Sequence, residues 1–250
     1  MEIIMEFAAM TDIGRQRKNN EDSYFVYKNK LLSGGMVADG MGGENAGEIA
    51  SKMASDIIKQ HIIQNYSPDM DYMAIAELIR TAFFIANREI YKKAQTKEYS
   101  GMGTTATLAL IYEGKLIISH IGDSRCYLYS NGKLKQLTND HSFVGELVRM
   151  GQISELDARN HPNRNLITRA LGADVILKID MNIINYSGEA VLLCSDGLTN
   201  MLSDDQIADI LKNSESYDKA IEEMIQLANK KGGRDNITVI VFGNLKGEAE

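Results

Sequence analysis

The spacing of apolar positions changes along the chain, and the changes mark out its elements. Between residues 46 and 64 apolar side chains recur at Ile49, Met53, Ile57 and Ile58, and between 71 and 94 at Ile75, Leu78, Ile79, Ala82, Phe83, Ala86 and Ile90. Steps of three and four predict two amphipathic helices, and these stripes read as packing faces. Pro68 lies between them and separates the two, because proline lacks the N–H that a continuous helix needs.

The period then shortens. Residues 104–112, 115–121, 125–129 and 133–137 are four strand-like runs joined by Glu113-Gly114, Gly122-Asp123-Ser124 and Asn131-Gly132. Asn-Gly between two such runs is a hairpin signal, since both turn positions need positive φ, so an antiparallel meander is expected. Further strands are expected at 7–10, 24–27 and 36–38, and again at 176–184, 190–194 and 237–242. A short helix at 143–150 ends at Gly151, and Ser154-Glu155-Leu156-Asp157 caps another. The polar stretch 152–164 reads as a mobile flap. Ser203-Asp204-Asp205-Gln206 is a capping box for a helix through Leu211, and 217–230 is helical through Ile221, Met224, Ile225 and Leu227.

Two helices, many strands, two more helices and a last strand do not alternate as βαβ units would. The pattern predicts an α+β layered fold with mainly antiparallel sheets. At 250 residues and 44% hydrophobic content, with two prolines and no linker-like stretch, one domain over residues 1–245 is expected.

A net charge of −7 without a basic stripe argues against nucleic acid or an anionic membrane as partner. The start Met1-Glu2-Ile3-Ile4-Met5-Glu6 does not suit a secretory signal, and no apolar run approaches the ~18 residues of a membrane span, so a soluble cytoplasmic protein is expected. Cys126 and Cys194 lie inside strand-like runs without Cys-x-x-Cys spacing and read as core residues.

Candidate chemistry centres on Met36-Val37-Ala38-Asp39-Gly40-Met41-Gly42-Gly43, where a strand delivers one carboxylate and glycines then let the chain turn. Alone this is an ordinary strand ending in an Asp-Gly turn. The arrangement recurs at Leu192-Leu193-Cys194-Ser195-Asp196-Gly197, with a third acidic element at Gly232-Gly233-Arg234-Asp235-Asn236. Separated carboxylates at element ends suit Mg²⁺ or Mn²⁺, which take oxygen ligands, whereas His61, His120, His141 and His161 are too scattered for zinc. A two-metal acidic cage generates hydroxide at neutral pH and clamps the oxygens of a displacement at phosphorus. Arg17 or Arg15 offers the fork that fits the substrate phosphate.

The chain resembles the metal-dependent serine/threonine protein phosphatases of the 2C type, and most of all their compact bacterial members. The resemblance runs from Thr11 to Phe242 through seven ordered motifs: Arg17 with Asn20-Glu21-Asp22, Val37 to Gly43, Gly103-Thr104-Thr105, Gly122-Asp123-Ser124-Arg125, Leu137-Thr138-Asn139-Asp140-His141-Ser142, Leu193 to Leu198, and Gly233-Arg234-Asp235-Asn236.

It implies a four-layer α-β-β-α sandwich of two antiparallel sheets flanked by helix pairs, with two or three Mn²⁺ or Mg²⁺ ions in a cleft at one end. Asp39 would bridge two metals, Gly40 would give its carbonyl, and Asp196 and Asp235 would hold the first metal. Glu21 would act through a water, Asp22 and Asn236 would support the ligands, and Asp123 with Asp196 would hold a third, weaker metal. Arg17 would bind phosphate while a metal-bridging hydroxide attacks phosphorus in line, without a phosphoenzyme. Phosphorylated proteins would be the substrates of this monomeric signalling enzyme, with a eukaryotic-like bacterial serine/threonine kinase as the activity it opposes. Many eukaryotic relatives carry His directly after the first Asp-Gly; here Met41 stands there, so a metal-bound water is the expected proton donor and His141 the second candidate. A phosphatase-like binding module without catalysis, and an enzyme for small phosphate esters, are the competing readings.

Overall fold

The computed structural model describes residues 5–43 and 46–243. The ends of the expected 1–245 domain and positions 44–45 lie outside the described residues. One sheet runs in the order β1 (Glu6–Asp12), β11 (Ile237–Gly243), β10 (Ala190–Cys194), β7 (Arg125–Ser130), β8 (Lys133–Gln136). The other runs β2 (Asp22–Lys28), β3 (Leu32–Met41), β5 (Ala106–Tyr112), β6 (Lys115–Ile121), β9 (Asp180–Asn185), with the two-residue β4 (Gly103–Thr104) also on β3. Every pairing is antiparallel.

Three apolar clusters define the layers. Val37, Ala109, Ile118, Cys126, Leu193 and Phe242 pack between the sheets. The outer face of the β3 sheet buries Met36, Leu108 and Leu110 against the helices α1 (Ala46–Asn65) and α2 (Tyr72–Ala94). Leu192, Val239 and Val241 do the same against α6 (Asp204–Asn213) and α7 (Tyr217–Lys230), completing four α-β-β-α layers. Both central β10 and β11 are buried along their whole length, as strands covered on two faces must be. The short α5 (Asp196–Thr199) joins the second of these layers through the buried Leu198, and the short helices α3 (Phe143–Arg149) and α4 (Glu155–Asn160) contribute no residue to the three clusters.

The Ser203/Gln206 and Ser154/Asp157 capping boxes form, and Asn131 and Gly132 take φ of 51° and 73° in the β7–β8 hairpin. Two expectations are corrected. The strand predicted over 176–184 begins only at Asp180, where pairing with His120 of β6 starts; Val175 and Ile176 are exposed and have no strand to pair with. β3 does not end at Ala38 with a turn at Asp39-Gly40 but continues to Met41, because Gly40 and Met41 pair with Thr104 and Gly103.

Candidate metal centre

Strand geometry gathers the acidic residues. β3 carries Asp39, and the register of β2 places Asp22 directly opposite it. Asp196 opens α5 just after β10, Asp235 precedes β11, and Asp123 sits in the turn between β6 and β7. Gly40 is required by packing: a Cβ there would lie 2.0 Å from the Gly47 carbonyl oxygen, so α1 could not start so close to β3. Asp39 is fixed by its backbone, whose N–H donates to Thr105 Oγ1 at 2.9 Å while its carbonyl accepts from Thr105 N at 2.9 Å and Thr104 Oγ1 at 2.9 Å.

Burial and mutual repulsion hold the carboxyls of Asp22, Asp39, Asp123 and Asp196 protonated more strongly than usual. Asp39 is pushed well up, by burial first and then by Asp22, Asp196, Asp123 and Asp235. Asp123 is also pushed well up, by burial and then Asp196. Asp196 rises to about 6 through burial and Asp235, although Asn200 and Arg17 oppose the shift. Asp22 rises to about 7 by burial, even though Thr238 Oγ1 (2.6 Å) and Ser195 Oγ (2.7 Å) donate to its Oδ2. Glu21 is raised by burial, and Arg17 counters it.

Oδ1 of Asp22, Asp123 and Asp196 is in each case buried without a hydrogen-bond partner. Unpaired buried carboxylate oxygens are costly, and a divalent cation relieves both the desolvation and the repulsion. The donor set, all oxygen and all acidic, therefore fits Mg²⁺ or Mn²⁺. Among the described residues no three His, Cys, Asp or Glu side chains stand, as they are oriented here, so that they could hold a metal ion together. Two candidate ligands are engaged elsewhere: Asn200 Nδ2 donates to Asp196 Oδ2 at 2.9 Å, and Arg17 pairs with Asp235 Oδ2 at 2.7 Å.

Asn236 ties the N-terminal loop to this cluster. Its Nδ2 donates to the carbonyls of Ile13 and Asn19, both at 2.9 Å, and its Oδ1 accepts the Glu21 N–H at 2.8 Å. Arg17, within that loop, lines a cavity of about 330 Å³ with Arg164, Asn200, Arg234 and Asp235. The Asp235 hydrogen bond raises the pKa of its guanidinium. Arg15 is held by backbone instead, its N–H donating to Gly233 O at 2.7 Å.

The fold thus brings Asp22, Asp39, Asp123, Asp196 and Asp235 together, with Glu21 and Arg17 at the edge. His141 does not suit the role of acid for a leaving group: it is buried, and its ring nitrogens face Gly122 N at 3.1 Å and Asp180 at 3.1 Å. Sequence reasoning gave no role to Thr105, Ser195, Thr238 or Asn200, which hold the acids in place. Thr105 and Ser195 stood inside recognised motifs, and Asn200 is one helical turn beyond Asp196; nothing in the sequence pointed to Thr238.

Comparison with known proteins adds an independent line. The family model described as Protein phosphatase 2C matches residues 8–237. The serine/threonine phosphatase stp of Listeria welshimeri serovar 6b is 40% identical over 237 residues, 92% of each chain. The S. agalactiae serine/threonine phosphatase superposes with a TM-score of 0.88 at 37% identity, covering 95% of this chain and 98% of that one. The catalytic domain of the serine threonine protein phosphatase PstP, solved in complex with two manganese ions, superposes with a TM-score of 0.80 at 34% identity, covering 96% and 97%.

Proposed function

The chain belongs to the protein phosphatase 2C family, and from this premise we infer that it is a metal-dependent serine/threonine protein phosphatase. The observation that carries the reading to particular residues is the buried acidic cluster with its three unpartnered carboxylate oxygens. Asp39, Asp196, Asp235 and the Gly40 carbonyl would hold two Mn²⁺ or Mg²⁺ ions. Asp123 with Asp196 would hold a third, and Glu21 would act through a water. When bound, such ions supply a water that deprotonates near neutral pH and positive charge against the phosphoryl oxygens.

The chain's own residues do the rest. Arg17 exchanges Asp235 for the substrate phosphate, whose oxygens match the guanidinium fork. Asn236 keeps Glu21 and the Arg17 loop in register with Asp235, and Ser195 and Thr238 orient Asp22. Water is the nucleophile that receives the phosphoryl group. Cys126 and Cys194 are buried with their thiols pushed up, Cys194 to about 12, and the Ser195 hydroxyl is committed to Asp22. The substrates are phosphorylated proteins, including those of a eukaryotic-like bacterial serine/threonine kinase and the kinase itself, and the setting is cytoplasmic signalling by a monomer. Among the described residues no helix is long and apolar enough to cross a membrane.

The test compares turnover of phosphothreonine peptides, nucleotides and a small aryl phosphate with Mn²⁺, with Mg²⁺ and with chelator. Peptide turnover that requires metal and is abolished by Asp39→Ala and Asp196→Ala is expected. A wild-type rate in Asp39→Ala would overturn the assignment of the site, and faster turnover of nucleotides than of peptides would make small esters the substrates.

A further inference from the structure

Outside the carboxylate cluster lies a buried histidine pair, His120 and His141, with ring centroids 4.8 Å apart. His141 holds the turn that carries Asp123 at two points. Its backbone N–H donates to the Gly122 carbonyl at 2.7 Å, and its Nδ1 lies 3.1 Å from the Gly122 N–H, which donates to it. An accepting Nδ1 carries no proton, so in the neutral ring the proton sits on Nε2. Nε2 lies 3.1 Å from Asp180 Oδ2 and 3.3 Å from Arg169 Nη1, which also pairs with the other oxygen of Asp180 at 3.3 Å. With the Gly122 N–H donating to Nδ1, Asp180, the nearer of the two groups at Nε2, accepts the ring proton and favours the tautomer that turns a lone pair toward Gly122.

This turn needs to be held. Gly122 has a φ of +109°, and a Cβ there would lie 2.5 Å from Thr105 Cβ, so the backbone sits in a conformation that side chains exclude. On the far side of Asp123, Ser124 is anchored too, its Oγ 2.8 Å from Thr105 Oγ1 and its carbonyl accepting from Thr107 Oγ1 at 2.9 Å. Between these anchors Asp123 is buried, with Oδ1 unpartnered.

We propose that His141 is a positioning residue for the metal site: oriented by Asp180, it locks the Gly122 backbone and thereby aims Asp123 at the space it shares with Asp196. The inference rests on Asp123 being a metal ligand, and the test separates the two ideas. Mn²⁺ binding is measured by titration calorimetry on the wild type, Asp123→Ala, His141→Ala, His141→Asn, Asp180→Ala and the double variant His141→Ala/Asp123→Ala. Asp123→Ala removes the weakest binding step. His141→Ala weakens that same step roughly tenfold, as loss of a support behind a metal ligand does. His141→Asn restores most of it, because the amide Oδ1 occupies the place of Nδ1 as acceptor, and Asp180→Ala shifts the step in the same direction as His141→Ala. In the Asp123→Ala background, His141→Ala leaves the remaining steps unchanged. An equal loss in that background would mean that His141 supports the fold generally, and would overturn the proposal. If His141→Ala does not fold, Asp180→Ala decides, since Asp180 is half exposed; a wild-type isotherm there overturns the proposal. An unaltered isotherm in Asp123→Ala would remove the ligand assignment, and the role of His141 with it.

Discussion

Asp22 and Asp39 are cross-strand partners on β2 and β3, two acids facing each other, Asp22 buried and Asp39 half-buried, where a sheet ordinarily pairs opposite charges or apolar groups. Like charges placed directly opposite destabilise a sheet, so the site is held together against its own repulsion. Asp39→Asn is expected to relieve on the order of 1 kcal/mol of that repulsion and raise the melting temperature in chelator by ~2–4 °C. The same variant should lose the increase in melting temperature that Mn²⁺ gives the wild type. A variant that melts lower in chelator and is still stabilised by Mn²⁺ would show that Asp39 neither opposes the fold nor binds the ion.

Arg17 pairs with Asp235 at 2.7 Å in the structure, and both groups are partly exposed, so the pair contributes little to stability. Arg17→Ala should leave the melting temperature within a degree or so of the wild type and raise KM for a phosphothreonine peptide roughly tenfold, with Arg17→Lys in between. Steady-state kinetics decide this, and an unchanged KM would move the phosphate contact to Arg15 or Arg234.

Removing the Asn236 amide leaves the Ile13 and Asn19 carbonyls and the Glu21 N–H without the partner they have now. Asn236→Ala is expected to cost about 2–3 kcal/mol in urea unfolding and to lower kcat/KM together with it, since Arg17 and Glu21 lie on the released loop. Full activity in a destabilised variant would show that the loop keeps its place without Asn236.

His120 supplies a pH dependence with a definite sign. Burial, then His141, lowers its pKa to about 4, while the Asn139 carbonyl, Asp140 and Asp180 act the other way. Its Nδ1 lies 2.9 Å from Thr107 Oγ1 and its Nε2 3.0 Å from Asn139 O. A folded-state pKa below the unfolded value of ~6.5 means that the unfolded chain binds the extra proton, so the contribution is complete above pH ~6.5 and is lost as pH falls to about 4. The difference in unfolding free energy between wild type and His120→Asn, measured in chelator, should shrink across this window by up to ~3 kcal/mol. Comparing the two proteins cancels the titration of the carboxylates. A difference that stays constant from pH 7.5 to 4.5 would mean that His120 is not held neutral by burial.

Local rules carried much of the architecture. The i, i+3, i+4 stripe of Ile75 to Ile90 became the buried face of α2, and Asn131-Gly132 became the β7–β8 turn, because helix period and positive φ are properties of a few adjacent residues. The run that starts at Ile176 misled for the same reason: branched side chains favour a strand, but a strand exists only where a neighbour offers hydrogen bonds, and β6 offers them from His120 onward. The strand expected over 36–38 stopped short of Asp39 because Asp-Gly favours turns locally, and the pairing of Gly40 with Thr104 carries β3 past it. For the site, the acidic residues and Arg17 were legible as residue types at element ends, and the ordered motifs gave the family. What the sequence could not give was the face-to-face placement of Asp22 and Asp39, the commitment of Ser195 and Thr238 to Asp22, or the grip of His141 on Gly122. These contacts join residues as far apart as 22 and 238, so strand register and sheet packing decide them. The sequence by itself determined which elements form and which charged groups the chain carries; tertiary structure decided which of those groups share one buried space, because burial and repulsion act through distance in space and not along the chain.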